Sequence, residues 1–147
     1  MHEDIFHLGI KGLVRNEAGK ILLLKVNLAE LRDYHGEAYW DLPGGRIHRG
    51  AQVEETLRRE VEEELGVTEI SKVVLVGMVL AKIRIPQKSG EDVGLILAIY
   101  NCSIDHSQPL RLSPEHTEAQ WFAPKEATQL LVVKYPPEFT KMIAALE

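Results

Sequence analysis

Hydrophobic residues along this chain come in short runs with two different periods, and the change of period locates the elements. Phe6–Val14 (FHLGIKGLV) and Ile21–Val26 (ILLLKV) are apolar runs of strand length around Asn16-Glu17-Ala18-Gly19, a turn signal, and they predict a β-hairpin. Residues 27–37 are polar and loop-like, and 38–42 reads as a short strand entering a glycine turn. From Val53 the spacing becomes helical: Val53, Leu57, Val61 and Leu65 recur every four residues, and Gly66 supplies the stop. Runs rich in Val, Ile and Leu return at 72–85, bounded by Pro86 and read as a strand or two, and at 93–104, with a loop at 87–92 between them. After a loop at 107–114 a last strand ends near Phe122. Pro124 then opens a short helix through Leu131, and a second follows Pro136-Pro137 with Phe139, Ile143 and Leu146 on one face. That order predicts an α/β (α+β) fold in which a mixed sheet is covered by helices on both faces. No linker, repeat or low-complexity segment interrupts it, so residues 1–147 are expected to form a single domain.

The central helix carries the candidate chemistry. An α-helix turns about 100° per residue, which puts Glu60, Glu63 and Glu64 along one edge of the apolar stripe and turns Glu55, Arg58 and Glu62 toward water. Like charges at such spacing repel by a few tenths of a kcal/mol on a bare helix. A hard cation among them removes that cost, and Mg²⁺ takes oxygen ligands while keeping waters and substrate phosphates in its other positions. A solvated acidic face is the ordinary alternative. The preceding Leu42-Pro43-Gly44-Gly45 shifts the balance, because a proline followed by paired glycines permits a sharp bend and close backbone approach. Such a bend can aim the Gly44 carbonyl at the cation.

Residues 45–67 (GRIHRGAQVEETLRREVEEELGV) resemble the Nudix box, a glycine-opened pattern with a central Arg-Glu-aliphatic step, an acidic pair and a closing glycine. Gly45 opens it, Arg59-Glu60-Val61 matches the step, Glu63-Glu64 the pair, and Gly66-Val67 the end; the preceding WDLPGG is similar to that family too. Ala51 stands where the family has its first glutamate, the residue that supports the box arginine there, and His48 where relatives often carry an acid. Glu55 and Glu63, four residues to either side of Arg59, are available to hold its guanidinium instead.

The resemblance implies a Nudix-like α/β/α sandwich and a site for Mg²⁺ (or Mn²⁺) held by Glu60, Glu63, Glu64 and the Gly44 carbonyl, with Arg59 orienting the acids. Residues 115–122 are similar to the family's E-H-x-E-x-x-W segment, where the loop acid joins the metal site or acts as base. Glu115 matches that acid and Glu118 is the second candidate, so the general base is Glu60 or Glu115. Lys25 falls where the family often carries a basic residue facing phosphate. Gly45 gives the substrate close access to the backbone, and Trp40, with Tyr34 and Tyr39, can flank a planar base. His116 is a candidate substrate contact. Lys82, Arg84 and Lys88 form a modest basic group, either solvated or facing phosphate.

Composition narrows the partners. The 147 residues are 45% hydrophobic and 27% charged, ordinary for a globular domain, and the net charge of −5 argues against a nucleic-acid or membrane surface. The single cysteine, Cys102, allows no intrachain disulfide and reads as a buried thiol. No signal peptide and no apolar run near the ~20 residues of a membrane span are present, which makes a soluble cytoplasmic protein the expectation.

The resemblance therefore implies metal-dependent hydrolysis of a phosphoanhydride bond in a nucleoside diphosphate linked to another moiety. Two other classes stand beside it: a catalytically silent nucleotide or sugar-phosphate sensor, motivated by Ala51, and a structural domain with an acidic helix. Turnover separates the first from the second, and metal-dependent thermal stability separates both from the third. Submotifs of the ADP-ribose, dinucleoside-polyphosphate and NADH types are absent, and elimination leaves (deoxy)nucleoside triphosphates, oxidised ones included. The expected partner is thus a small nucleotide. Family members are often dimers, and a homodimer is compatible with this chain.

Overall fold

A computed structural model of the chain describes residues 2–31, 34–105 and 107–146. Its strands fall into two sheets. In the larger, β1 (Phe6–Val14) runs parallel to β7 (Asp92–Ile104) along its whole length and antiparallel to β4 (Gly44–Arg46). There β5 (Ile70–Leu80) and β6 (Ile85–Pro86) both pair antiparallel with β7. The smaller sheet has β2 (Ile21–Val26) between β3 (Trp40–Asp41) and β8 (His116–Phe122), all antiparallel.

The predicted hairpin does not form. Its turn is present, with Asn16 Oδ1 accepting from the N–H groups of Ala18 and Lys20, but β1 and β2 enter different sheets and share an isolated bridge from Arg15 to Ile21. β1 from Gly9 onward and β2 are almost continuously buried, so each has two faces to cover. Pairing with β7 and with β8 builds sheets wide enough for helices to cover both faces; a lone two-stranded ribbon, marginal in water, is not.

Helix α1 (Val53–Leu65) packs Leu57, Val61 and Leu65 onto Ile10 and Val14 of β1 and Leu22 and Leu24 of β2. It ends as predicted, at Gly66 in the left-handed region (φ 72°), whose N–H donates to the Glu62 carbonyl. Helices α2 (Pro124–Leu131) and α3 (Pro137–Ala144) cover a second core built from Leu13, Ile21, Leu23, Leu97 and Ile99 with Leu131, Phe139 and Ile143. Helices thus flank the sheets, as the pattern predicted. Each fully buried aliphatic or aromatic side chain contributes about 1.5–3 kcal/mol. Among the described residues no helix is long and apolar enough to cross a membrane.

Candidate functional site

The turn before α1 is locked to the helix by two glycines. The Pro43 carbonyl accepts from the Gly12 N–H at 2.8 Å, and Gly44 follows with φ 141°. A Cβ on Gly44 would lie 2.0 Å from the Ile10 carbonyl oxygen, so no side chain fits. The Gly44 N–H donates to Glu64 Oε1 at 2.7 Å. At Gly45 the space of a side chain is taken by Glu60, whose carboxyl carbon would stand 2.4 Å from a Cβ there. Two of the three expected carboxylates therefore rest on the bend. Glu63 is exposed and turns to Arg59, which bridges it (3.5 Å) and Glu60 (3.4 Å). Of the two acids expected to hold that guanidinium, the structure pairs Glu63 with it.

A second segment meets this one from β8. Asn27 holds the loop before the strand, its N–H donating to the Glu115 carbonyl at 2.9 Å and its side-chain amide to the Pro114 carbonyl at 2.7 Å. A register shift between Lys25 and Val26 aligns Val26 with His116. Ligand atoms of Glu64, Glu115 and His116 thereby come within 4.8 Å of one another. Burial pushes the Glu64 carboxyl up to about 8 and, with the Lys11 charge adding to it, drives the His116 imidazole down to about 4. His116 Nδ1 is buried without a hydrogen-bond partner among the described residues, 3.9 Å from Glu64 Oε2. Two carboxylates and an unpaired neutral imidazole nitrogen are a donor set that fits a divalent cation, with positions left for water and phosphate. Burial also raises Glu60, with Arg59 opposing and the Glu63 and Glu115 charges assisting.

Glu64, Glu115 and His116 open onto a cavity of about 350 Å³ lined from both sheets, by Gly9, Leu95 and Leu97 of the larger and by Val26, Tyr39 and Asp41 around the smaller. Ile83 and Ile85 add to its apolar wall. Its polar floor was not foreseen from the sequence. Asp41 Oδ2 accepts from Lys11 Nζ at 3.1 Å and Lys134 Nζ at 2.6 Å, while Oδ1 accepts from the Tyr135 hydroxyl. Lys11 also donates to the carbonyls of Leu42 (3.1 Å) and Gly44 (3.4 Å), the latter being the oxygen expected to face the cation. Burial alone would raise Asp41, but the two ammonium groups hold it well below the carboxylate range. Burial lowers Lys134 to about 8. A signal existed: a lysine inside an otherwise apolar strand, as Lys11 is, has to find a counter-charge when it is buried.

Lys25, Trp40 and Glu118 do not line the cavity. They form a separate cluster in which Lys25 Nζ lies 3.5 Å from Glu118 and 5.9 Å from the Trp40 ring centre, and Trp40 meets Phe122 edge to face. Tyr39, by contrast, lines the cavity, with Tyr34 against it edge to face at 5.3 Å. Of the modest basic group, Arg84 is engaged by Asp4 and Asp92, and Lys82 donates to the Val132 carbonyl. Cys102 is buried, and burial pushes its thiol up to about 11.

Comparison with known proteins places these features in a family. The family model described as NUDIX domain matches residues 5–144. The nucleoside triphosphatase NudI of Escherichia coli is 29% identical over 91 residues, which are 59% of this chain and 63% of that protein, less than two thirds of its length. Among solved structures, a MutT protein from Methanosarcina mazei aligns with TM-score 0.71 and 24% identity, covering 97% of this chain and 94% of that one. A MutT NUDIX hydrolase from Burkholderia pseudomallei aligns with TM-score 0.63 and 25% identity over 96% and 97%.

Proposed function

We propose that this chain, which belongs to the NUDIX family, hydrolyses a phosphoanhydride bond in a nucleoside triphosphate or a related nucleotide, with Mg²⁺ or Mn²⁺ as cofactor. One observation carries the reading: Glu64, Glu115 and His116 present close ligand atoms on the wall of a cavity with an apolar side large enough for a small molecule. This chain's relative NudI is a nucleoside triphosphatase, which supports triphosphates as the substrate class.

Glu64, with Glu115 and His116, would hold the ion. When bound it supplies positive charge to the diphosphate and acidifies the attacking water. The chain's own residues do the rest. The Gly44 N–H fixes the Glu64 carboxylate through one oxygen and leaves the other facing His116. Arg59 holds Glu60 and Glu63 together and keeps Glu60 against Gly45, where its raised pKa suits a proton acceptor. Glu115 lines the cavity and is the other acid able to take the proton of water. Glu63 and the Gly44 carbonyl, the other ligands expected from the family resemblance, are engaged here by Arg59 and Lys11.

The test is release of phosphate or pyrophosphate from a nucleotide panel with Mg²⁺ or Mn²⁺. Glu64→Gln is expected to lose at least about a hundredfold in kcat, the scale of several kcal/mol of lost charge stabilisation. Equal activity in wild type and variant, with or without metal, would reject the reading. Tight nucleotide binding without turnover would favour a sensor instead.

A further inference from the structure

We propose that the outer edge of β5 is a docking surface for a second copy of this chain, joined across a two-fold axis near Val76. In the larger sheet β5 ends the strand order, and among the described residues its ladder is to β7 alone. From Val73 to Leu80 (VVLVGMVL) it holds no charge and no proline. Val74 (62%), Leu75 (52%), Met78 (62%) and Leu80 (55%) are each more than half exposed. Sheet edges are normally blunted by charge, proline or a bulge. Here only the last is present, as the register shift between Leu75 and Gly77. It bends the strand, so side-chain packing, more than a long ladder, is what the edge offers a partner. Apolar side chains gathered in this way on a surface mark an interaction site.

Beside this edge lies a small apolar groove of about 150 Å³ between β5 and α3, lined chiefly by Gly77, Met78, Val79, Ile99, Phe139 and Met142. An apolar cavity of about that size takes one benzene-sized group. One large apolar side chain therefore fills it. Gly77 is an independent sign of such a visitor. Its φ lies outside the left-handed region, and a Cβ there would meet nothing within 4 Å. Neither the backbone nor packing within the chain calls for glycine, whereas a strand glycine often marks where another chain comes close.

The side chain that fits is on the same strand as the groove. Antiparallel strands about a two-fold at Val76 set position 75 against position 77 of the other copy, and 74 against 78. Leu75 of each copy then seats over Gly77 of the other, and both grooves are filled by one self-complementary contact. The apolar surface also continues past the strand. Lys82 donates from its N–H to the Lys134 carbonyl and from Nζ to the Val132 carbonyl, which sets the exposed Val132 and Val133 beside the end of β5. The eleven residues of β5 and the eight of α3 approach the roughly 20–30 residues a side of a standard interface. An anionic membrane is the poorer match, because the chain's net charge of −5 is repelled by it.

The experiment measures the mass of the full chain by light scattering and sedimentation equilibrium across about 1–100 µM. Wild type is expected to report twice the mass of one chain. Leu75→Glu and Gly77→Lys each put a charge into the seat, and each alone should weaken pairing by about a hundredfold or more, leaving monomers. Mixed together they should pair again, since position 75 of one copy meets position 77 of the other and the two charges are opposite. A thermal melt checks that each variant folds; should Leu75→Glu fail to, Leu75→Ser replaces it and should also be monomeric. A wild type that stays monomeric throughout overturns the proposal, including one that binds lipid vesicles instead. So does a dimer that survives both substitutions, which puts its interface elsewhere. A mixture of the two variants that stays monomeric while wild type pairs overturns the two-fold at Val76.

Discussion

Asp41 shows how much one buried carboxylate can govern. It is the shared counter-charge of Lys11 and Lys134, all three being buried. Asp41→Asn keeps the shape and leaves two ammonium groups facing each other in the interior, a loss of about 3–5 kcal/mol. Urea unfolding should show that loss, with Glu63→Gln, on an exposed side chain, changing stability by no more than about 0.5 kcal/mol. A loss under about 1 kcal/mol for Asp41→Asn would contradict the pairing. The sign with pH follows. Because the two lysines hold the folded carboxyl below its ordinary 3.8, the unfolded chain takes up the proton first. This contribution is present above pH 3.8 and is lost as pH falls through the lower folded value, so the variant's acid-unfolding curve should lack that component. Beyond the lysine set in an apolar strand, this pairing was not legible in the sequence. Periodicity averages over a run, and it absorbed Lys11 into an apolar strand and Lys134 into the residues after a helix. What marks them is a pairing between positions 11, 41 and 134, which only the fold brings together.

At the scale of elements, α1 was readable because one stripe at helical spacing and one glycine stop state it locally. The bend before it was readable as well, yet the work of its two glycines differs. Gly44→Ala would drive a Cβ into the Ile10 backbone and force alanine to φ 141°, so the protein should fail to fold stably. At Gly45 the obstacle is the far end of the Glu60 side chain, which can swing away. Gly45→Ala is therefore expected to lower kcat by about tenfold or more through a displaced acid. Its melting temperature should fall by only a few degrees, about 1 kcal/mol. Gly50→Ala, at φ 83° in open space, supplies the control for backbone strain alone, about 1–2 kcal/mol with kcat retained. If Gly45→Ala keeps full activity, Glu60 has no part in the reaction. The hairpin, in contrast, misled because a turn signal between two apolar runs says nothing about which distant strand each run will prefer.

The whole molecule turns that failed hairpin into its site. Since β1 and β2 join different sheets, the cavity opens between them, and Glu64, Glu115 and His116 meet at its edge from segments far apart in sequence. The sequence placed Glu64 and Glu115 separately; their juxtaposition needed the register shift in β2 opposite β8. This arrangement makes ion binding and proton release one event. Burial raises the Glu64 carboxyl to about 8, so at neutral pH the ion-free protein largely keeps its proton. A folded pKa above the unfolded 4.5 gives stability that is fully present below 4.5 and is lost as pH rises through about 8. A divalent ion binds the carboxylate form and must expel that proton. Added Mg²⁺ or Mn²⁺ should therefore raise the melting temperature more at pH 8 than at pH 6; a concentration a hundredfold over Kd stabilises the fold by about 2.7 kcal/mol. Calorimetry at pH 7 in two buffers of different ionisation enthalpy should give different heats, reporting the released proton. Glu64→Gln should abolish both the stabilisation and the difference in heat. Equal shifts at both pH values with buffer-independent heats would remove Glu64 from the ligands, and with it the physical link between this cavity and phosphoanhydride chemistry.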